Sequence, residues 1–205
     1  FYKRTRVRDC YEEMKLTVGR QGLIVRAYDD GIAYRLTYDG KSPYKVYDEQ
    51  ADFTFPADYP MYASYVCAGD DGDFESQYIN SFENVYEHKS IMQFNPSRLV
   101  FLPVLVELPD GIKVCITEAD LDNYPGMYLT GGGDSPVLAS HFAPVPRETV
   151  QGGHNMLQQL VTSREEYIAR DANAQLPWRV VAVAENDVQL AASDLVFRLG
   201  KPCRI

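Results

Sequence analysis

Residues 22–40 read GLIVRAYDDGIAYRLTYDG, two alternating apolar runs broken by an acidic turn signal. Alternation with a period of two sends successive side chains to opposite faces of a strand, and Asp-Gly between two such runs is a strong hairpin signal. With Asp30-Gly31 as a two-residue turn, Ala27 pairs with Tyr34, Val25 with Leu36 and Leu23 with Tyr38, which makes one continuous apolar face. The other face then sets Arg26 across from Arg35. Like charges directly opposite are destabilising, so a carboxylate is expected between them, with Asp48 or Glu49 as the structural candidates.

The same punctuation runs along the chain. YKVYDEQADFTFP reads as a strand with Phe53 and Phe55 on one side and a stop at Pro56. Residues 59–87 are rich in Gly, Asp and Tyr, and two short strands are expected around the loop AGDDGD. Asp70, Asp71 and Asp73 are hard oxygen donors. No acidic residue follows them at the spacing a calcium-binding helix-loop-helix requires, so a solvated turn is expected. RLVFLPVLVEL and GIKVCITEADL form two strands joined by Pro109-Asp110-Gly111. LPWRVVAVA is a strand by its Val repetition, followed by a turn at Glu185-Asn186-Asp187. The best helix candidate is TSREEYIARDA, where Ser163 and Glu166 make a capping box. No repeat, charge block or low-complexity linker divides the chain, so one all-β domain over residues 1–205 with a minor helix is the economical reading.

Composition bounds the function. A chain of 205 residues buries about 70% of its unfolded surface and is short of the about 250 residues of a complete eight-fold β/α barrel. Its 20 Lys and Arg against 29 Asp and Glu give a net charge of −9. Nucleic acid and anionic membrane both need a concentrated basic field, so neither is an expected partner. The longest apolar stretch, LVFLPVLV, is far short of the about 20 residues of a membrane span. The start, FYKRTRVRDCYEEM, has no apolar region of a signal peptide and no initiator Met, so the chain is expected to begin inside a larger protein. Cys10, Cys67, Cys115 and Cys203 are far apart with no CxxC, and buried free thiols are the working expectation.

Chemistry is sparse. The three histidines, His88, His141 and His154, lie in no metal-ligand spacing, and nucleophile-elbow, phosphate-loop and dinucleotide patterns are absent. One carboxylate stands out. Ile112, Val114 and Ile116 share a strand face, and Glu118 continues it. A carboxylate on an apolar face is costly unless it is paired or holds a cation. Taken alone, an ion pair is the simpler answer and a metal the alternative.

RAYDDGIAYR, ITEADLDNYPGMYL and LPWRVVAVA, in that order and spacing, resemble the amino-terminal module of glycoside hydrolase family 97 over nearly the whole chain. Those enzymes are α-glucosidases and α-galactosidases of Bacteroidetes. The resemblance implies a β-super-sandwich related to the galactose mutarotase-like fold, packed against a catalytic (β/α)8 barrel that follows it. It also implies that earlier strands of the module precede Phe1, and that the catalytic residues lie in the barrel, none in this chain. It assigns one functional residue here, Glu118, as a Ca2+ ligand reaching the barrel site. Asp120, Asp122 and Tyr124 follow in a loop that could line the same cleft, with structural roles as the default. The implied partners are an α-linked oligosaccharide and the chain's own C-terminal barrel, and the implied location is periplasmic or secreted. Two other readings stand beside it: a free carbohydrate-binding module using exposed Tyr side chains, and a mutarotase-like epimerase, which needs a His and an acid to converge.

Overall fold

A computed structural model describes residues 6–40, 42–66, 73–79, 82–170 and 175–201. The strands are β1 (Glu12–Val18), β2 (Gln21–Tyr28), β3 (Gly31–Tyr38), β4 (Lys45–Val46), β5 (Phe53–Thr54), β6 (Pro60–Tyr65), β7 (Glu87–Ser90), β8 (Val100–Glu107), β9 (Lys113–Ala119), β10 (Met127–Thr130), β11 (Val137–Phe142), β12 (Pro146–Gly152), β13 (Gln158–Arg164), β14 (Ala169–Arg170) and β15 (Trp178–Ala184). Three short α-helices, α1 (Phe74–Gln77), α2 (Asp187–Ala191) and α3 (Leu195–Leu199), and three single 3-10 turns (Ile91–Gln93, Pro109–Gly111 and His154–Met156) complete the described elements. The all-β expectation holds.

Eleven strands form one curled antiparallel sheet in the order β1-β2-β3-β15-β9-β8-β10-β11-β5, with β6 on β8 and β7 on β6. The curl begins at β8. Val104 to Glu107 pair with β9, whereas Val100 and Phe101 pair with β10. Pro103 sits between the two halves, where its missing N–H leaves no ladder bond unmade. Inside the curl lies the main core, in which Met61, Ile91, Val104, Val106, Ile116, Leu129 and Leu138 are fully buried. A second cluster on the outer side packs Ala33, Trp178, Val180 and Ala182 under Leu195 and Leu199 of α3.

The first hairpin forms, but two residues out of the expected register. Asp29 and Asp30 make the turn, so Tyr28 pairs with Gly31, Ala27 with Ile32 and Val25 with Tyr34. Arg26 therefore opposes Ala33, and Arg35 opposes Ile24. Neither Asp48 nor Glu49 separates the two arginines. Arg26 pairs with Glu13 and Arg35 with Asp120, and both guanidinium carbons lie over the Trp178 ring, at 4.8 and 4.5 Å. A slip of two residues preserves the faces. The apolar face nonetheless stays partly open at Ile32 and Leu36, while Ala33 and Arg35 on the other side are buried. The main core covers that face only farther along the sheet, at Val181 and Ile116.

Three further expectations are corrected. The described part of TSREEYIARDA, residues 162–170, is extended: β13 ends at Arg164, and Tyr167, Ile168 and Ala169 are buried in succession, which one face of a helix cannot achieve; Asp171 and Ala172 lie outside the described residues. Backbone bonds hold it open, from Glu165 N to Val145 O, Val145 N to Tyr167 O and Ile168 N to Val46 O. Ser163 accepts from Arg147 Nε at 3.3 Å in place of capping. YKVYDEQADFTFP is split into β4 and β5, and Phe53 and Phe55 pack against the main core. Cys10 is exposed, whereas Cys115 is half-buried and burial pushes its thiol up to about 11. Cys67 and Cys203 lie outside the described residues, as do Asp70 and Asp71. Asp73 caps α1 by accepting Ser76 N at 2.9 Å.

Burial ranks the cost of truncation along one sheet face. Ile116 is 0% exposed and Val183 41%, so Ile116→Ala should cost about 2 to 5 kcal/mol and Val183→Ala about 0.5 or less. Urea titration of the chain checks the order, and equal costs would contradict this placement of the core.

Candidate functional site

Strand pairing builds the site. Glu118 ends the apolar row Val114, Ile116 on β9, and β15 lies alongside with Arg179 directly opposite Glu118 and Val181 opposite Ile116. Arg179 Nη1 donates to Glu118 Oε2 at 2.6 Å, and its side chain is 1% exposed. The partner that a carboxylate on an apolar face requires is therefore an arginine on the next strand.

Glu49 supplies a second carboxylate to the same guanidinium. Arg179 Nε donates to Glu49 Oε1 at 2.9 Å and Nη2 to Oε2 at 2.7 Å, the bidentate arrangement that gives the strongest pairs. The bend between β4 and β5 turns Glu49 inward. Asp48 Oδ1 accepts Glu49 N, Ala51 N donates to Ser140 Oγ, and Asp52 Oδ1 accepts Ser140 N. These side-chain bonds to backbone replace strand pairing there. Tyr124 Oη donates to Glu49 Oε2 at 2.7 Å, and the Phe142 ring lies 4.9 Å from the guanidinium carbon.

Two buried carboxylates thus share one cation, leaving an excess negative charge. Burial pushes the Glu118 carboxyl up to about 7 and Glu49 adds to the rise, against the attraction of Arg179 and a bond from Met127 N. Burial works most strongly against the Arg179 charge, but the Glu49 bonds and the attraction of Glu49, Glu118 and Tyr124 together hold the guanidinium above its ordinary range. Tyr124 is raised by burial and by the Glu49 charge.

The loop residues resolve into structural roles. Asp120 accepts Arg35 Nη2 at 2.6 Å while Arg35 Nε donates to Leu176 O at 2.7 Å, tying β3 to the end of β9. Asp120 has φ 61, a left-handed conformation that Asp tolerates better than most residues. Lys201 Nζ reaches Asp122 at 3.1 Å. Tyr124 serves Glu49. Of the histidines, His88 meets Glu107 at 2.9 Å as an exposed pair, and His141 bonds Thr130 Oγ1 at 3.0 Å. Arg179 is the residue that strand reading passed over. Its signal was a single charge inside the apolar run WRVVAVA.

Glu118 fits calcium in donor type but not in donor number. Besides Arg179 on Oε2, its oxygens accept only Met127 N at 3.1 and 3.2 Å, and a carboxylate oxygen is the kind of donor calcium takes. Among the described residues no three His, Cys, Asp or Glu gather as a metal site. One edge of Glu118 adjoins Gly126, where a Cβ would stand 3.3 Å from Oε1. Gly126 belongs to the loop 123–126, which lines an open cleft of about 630 Å³ together with Ala143, Pro146, Arg164 and Arg170.

An antiparallel β-sandwich module with a buried carboxylate pair held by one arginine is the class that this geometry defines. The family model for the glycosyl-hydrolase 97 N-terminal region matches residues 1–202, and the chain belongs to that family. A retaining alpha-galactosidase of Bacteroides thetaiotaomicron is 45% identical over 207 residues, covering 100% of this chain and 31% of that protein. Among solved structures, a glycoside hydrolase family 97 enzyme from Pseudoalteromonas sp. strain K8, in complex with acarbose, superposes with a TM-score of 0.62 at 18% identity. That match covers 98% of this chain and 30% of the other. A beta-arabinopyranosidase matches with a TM-score of 0.57 at 21% identity over 81% of this chain and 25% of its own. The chain spans about a third of the length of its relatives, which are glycoside hydrolases. No described helix is long and apolar enough to cross a membrane.

The shift of Glu118 sets a pH dependence. Its folded value of about 7 lies above the ordinary 4.5, so its contribution to stability is complete below about 4.5 and is lost as pH rises through about 7. With calcium chelated, Glu118→Gln should flatten that fall, read as the thermal midpoint across the window. An unchanged slope would show that Glu118 is ionised throughout.

Proposed function

We propose that the chain is the non-catalytic β-sandwich module of a calcium-dependent retaining glycoside hydrolase, supplying Glu118 as one Ca2+ ligand and a pocket wall to a catalytic (β/α)8 barrel beyond it. Glu118 carries the reading. A carboxylate that ends an apolar strand, shares its arginine with Glu49 and is shifted toward neutrality by burial is short of positive charge. A cation held at its other oxygen would supply it. The 45% identity to a retaining alpha-galactosidase favours α-galactosidic over α-glucosidic bonds, with an α-linked oligosaccharide as substrate. Family membership supports a periplasmic or secreted enzyme.

The chain's own contribution is orientation. Arg179 and Met127 N hold the Glu118 carboxylate in place, which removes side-chain entropy from the cost of binding a ligand. Bound calcium would polarise the sugar and lower the pKa of groups beside it. Six to eight oxygens are needed around it, so the barrel and water must complete the set.

Glu118→Gln in the full-length enzyme should lower calcium affinity by at least about tenfold, the loss typical of removing even a residue that only orients a ligand. Activity should fall with it, while the module's circular dichroism persists. Wild-type calcium dependence in that variant would contradict the proposal.

A further inference from the structure

The hairpin of β12 and β13 lies outside the main sheet and is tied to the fold at its root, where Arg164 pairs with Glu75 and donates to Pro144 O. Its two strands form a sheet of their own. Every residue of β12 except Gly152 is exposed, and a cleft of about 430 Å³ separates the inner face from Tyr78 and Ile79. A lone two-stranded hairpin is marginally stable in water, so an arm of this kind gains most when another surface covers it.

The end of the arm, otherwise Gly, Gln, His and Asn, exposes three apolar side chains on a backbone with several positive φ angles. Val150 is 49% exposed, Met156 59% and Leu157 80%. Gly153, Asn155 and Met156 all have positive φ, at 70, 54 and 57 degrees. For methionine that region is uncommon and costs of order 1 kcal/mol or more. A strained Met beside a nearly fully exposed Leu is a poor arrangement for solvent and a reasonable one for a contact.

The position of the arm selects the occupant. Pro146 and Arg164, at its root, line the same cleft as the loop 123–126, whose Gly126 adjoins Glu118. Relatives are about three times as long as this chain, which covers 31% of the alpha-galactosidase. We infer that the β12–β13 hairpin is a docking arm for the catalytic portion of the same polypeptide, with Met156 and Leu157 seated on it. The inference rests on the proposed function for its choice of occupant.

In the full-length enzyme, photoreactive p-benzoylphenylalanine placed at Leu157 should, on irradiation, join this arm to peptides following residue 205 within one molecule. The same group at Val188, which is 78% exposed on α2, gives the background. Cross-links joining two copies would assign the arm to self-association and overturn the inference. Yield at 157 no higher than at 188 would also overturn it. Calcium dependence of Glu118→Gln separates the two claims. Its loss without the cross-link sinks the arm alone, and the cross-link with wild-type calcium dependence sinks the ligand alone.

Discussion

Arg179 is the charge around which this module is arranged. A guanidinium 1% exposed loses several kcal/mol of hydration, which only close and well-directed carboxylates offset. That requirement explains why the chain between β4 and β5 gives up strand pairing to bring Glu49 inward. It also explains why Tyr124 leaves the loop surface to complete Glu49, and why Phe142 lies against the guanidinium. β15, the last of the described strands, inserts between β3 and β9, so the cluster forms only when distant parts of the sequence have assembled. Buried ion pairs add little net stability compared with apolar packing, and removing one partner is costly. The arrangement is better understood as fixing where Glu118 points.

How far the sequence could be read depended on how local the determining interaction was. The β8 and β9 hairpin and the apolar row ending in Glu118 were legible because alternation and a Pro-Asp-Gly turn are contained within twenty or so residues. The first hairpin was legible in kind, but Asp29-Asp30-Gly31 offers two turn placements, and the one adopted puts Gly31 in the strand, where Val181 O and Leu195 leave no room for a Cβ. Alternation identified its apolar face but not which side a second layer would cover. Ser163 and Glu166 matched a helix signature, yet three successive buried residues and backbone bonds to Val145 and Val46 override local preference.

The site was half legible for the same reason. Glu118 announced itself as a misplaced acid. Its partner did not, because Arg179 sits in a run that reads as continuously apolar, and the register that sets it opposite Glu118 is tertiary. Glu49 was singled out as a structural acid but assigned to the wrong arginines, since the bend that aims it depends on Ser140 from β11. Family resemblance contributed what geometry within one chain lacks, the proposal of a distant partner for a carboxylate that shares its arginine with Glu49.

The proposed role of Glu118 requires a calcium ion beside its carboxylate in the full-length protein. Anomalous scattering from calcium in crystals of the full-length protein tests this most directly. The predicted result is a peak about 2.3 to 2.6 Å from one Glu118 oxygen, with Arg179 still bound to the other. A calcium peak ligated entirely by other residues, with both Glu118 oxygens on Arg179 and Met127 N, would contradict it.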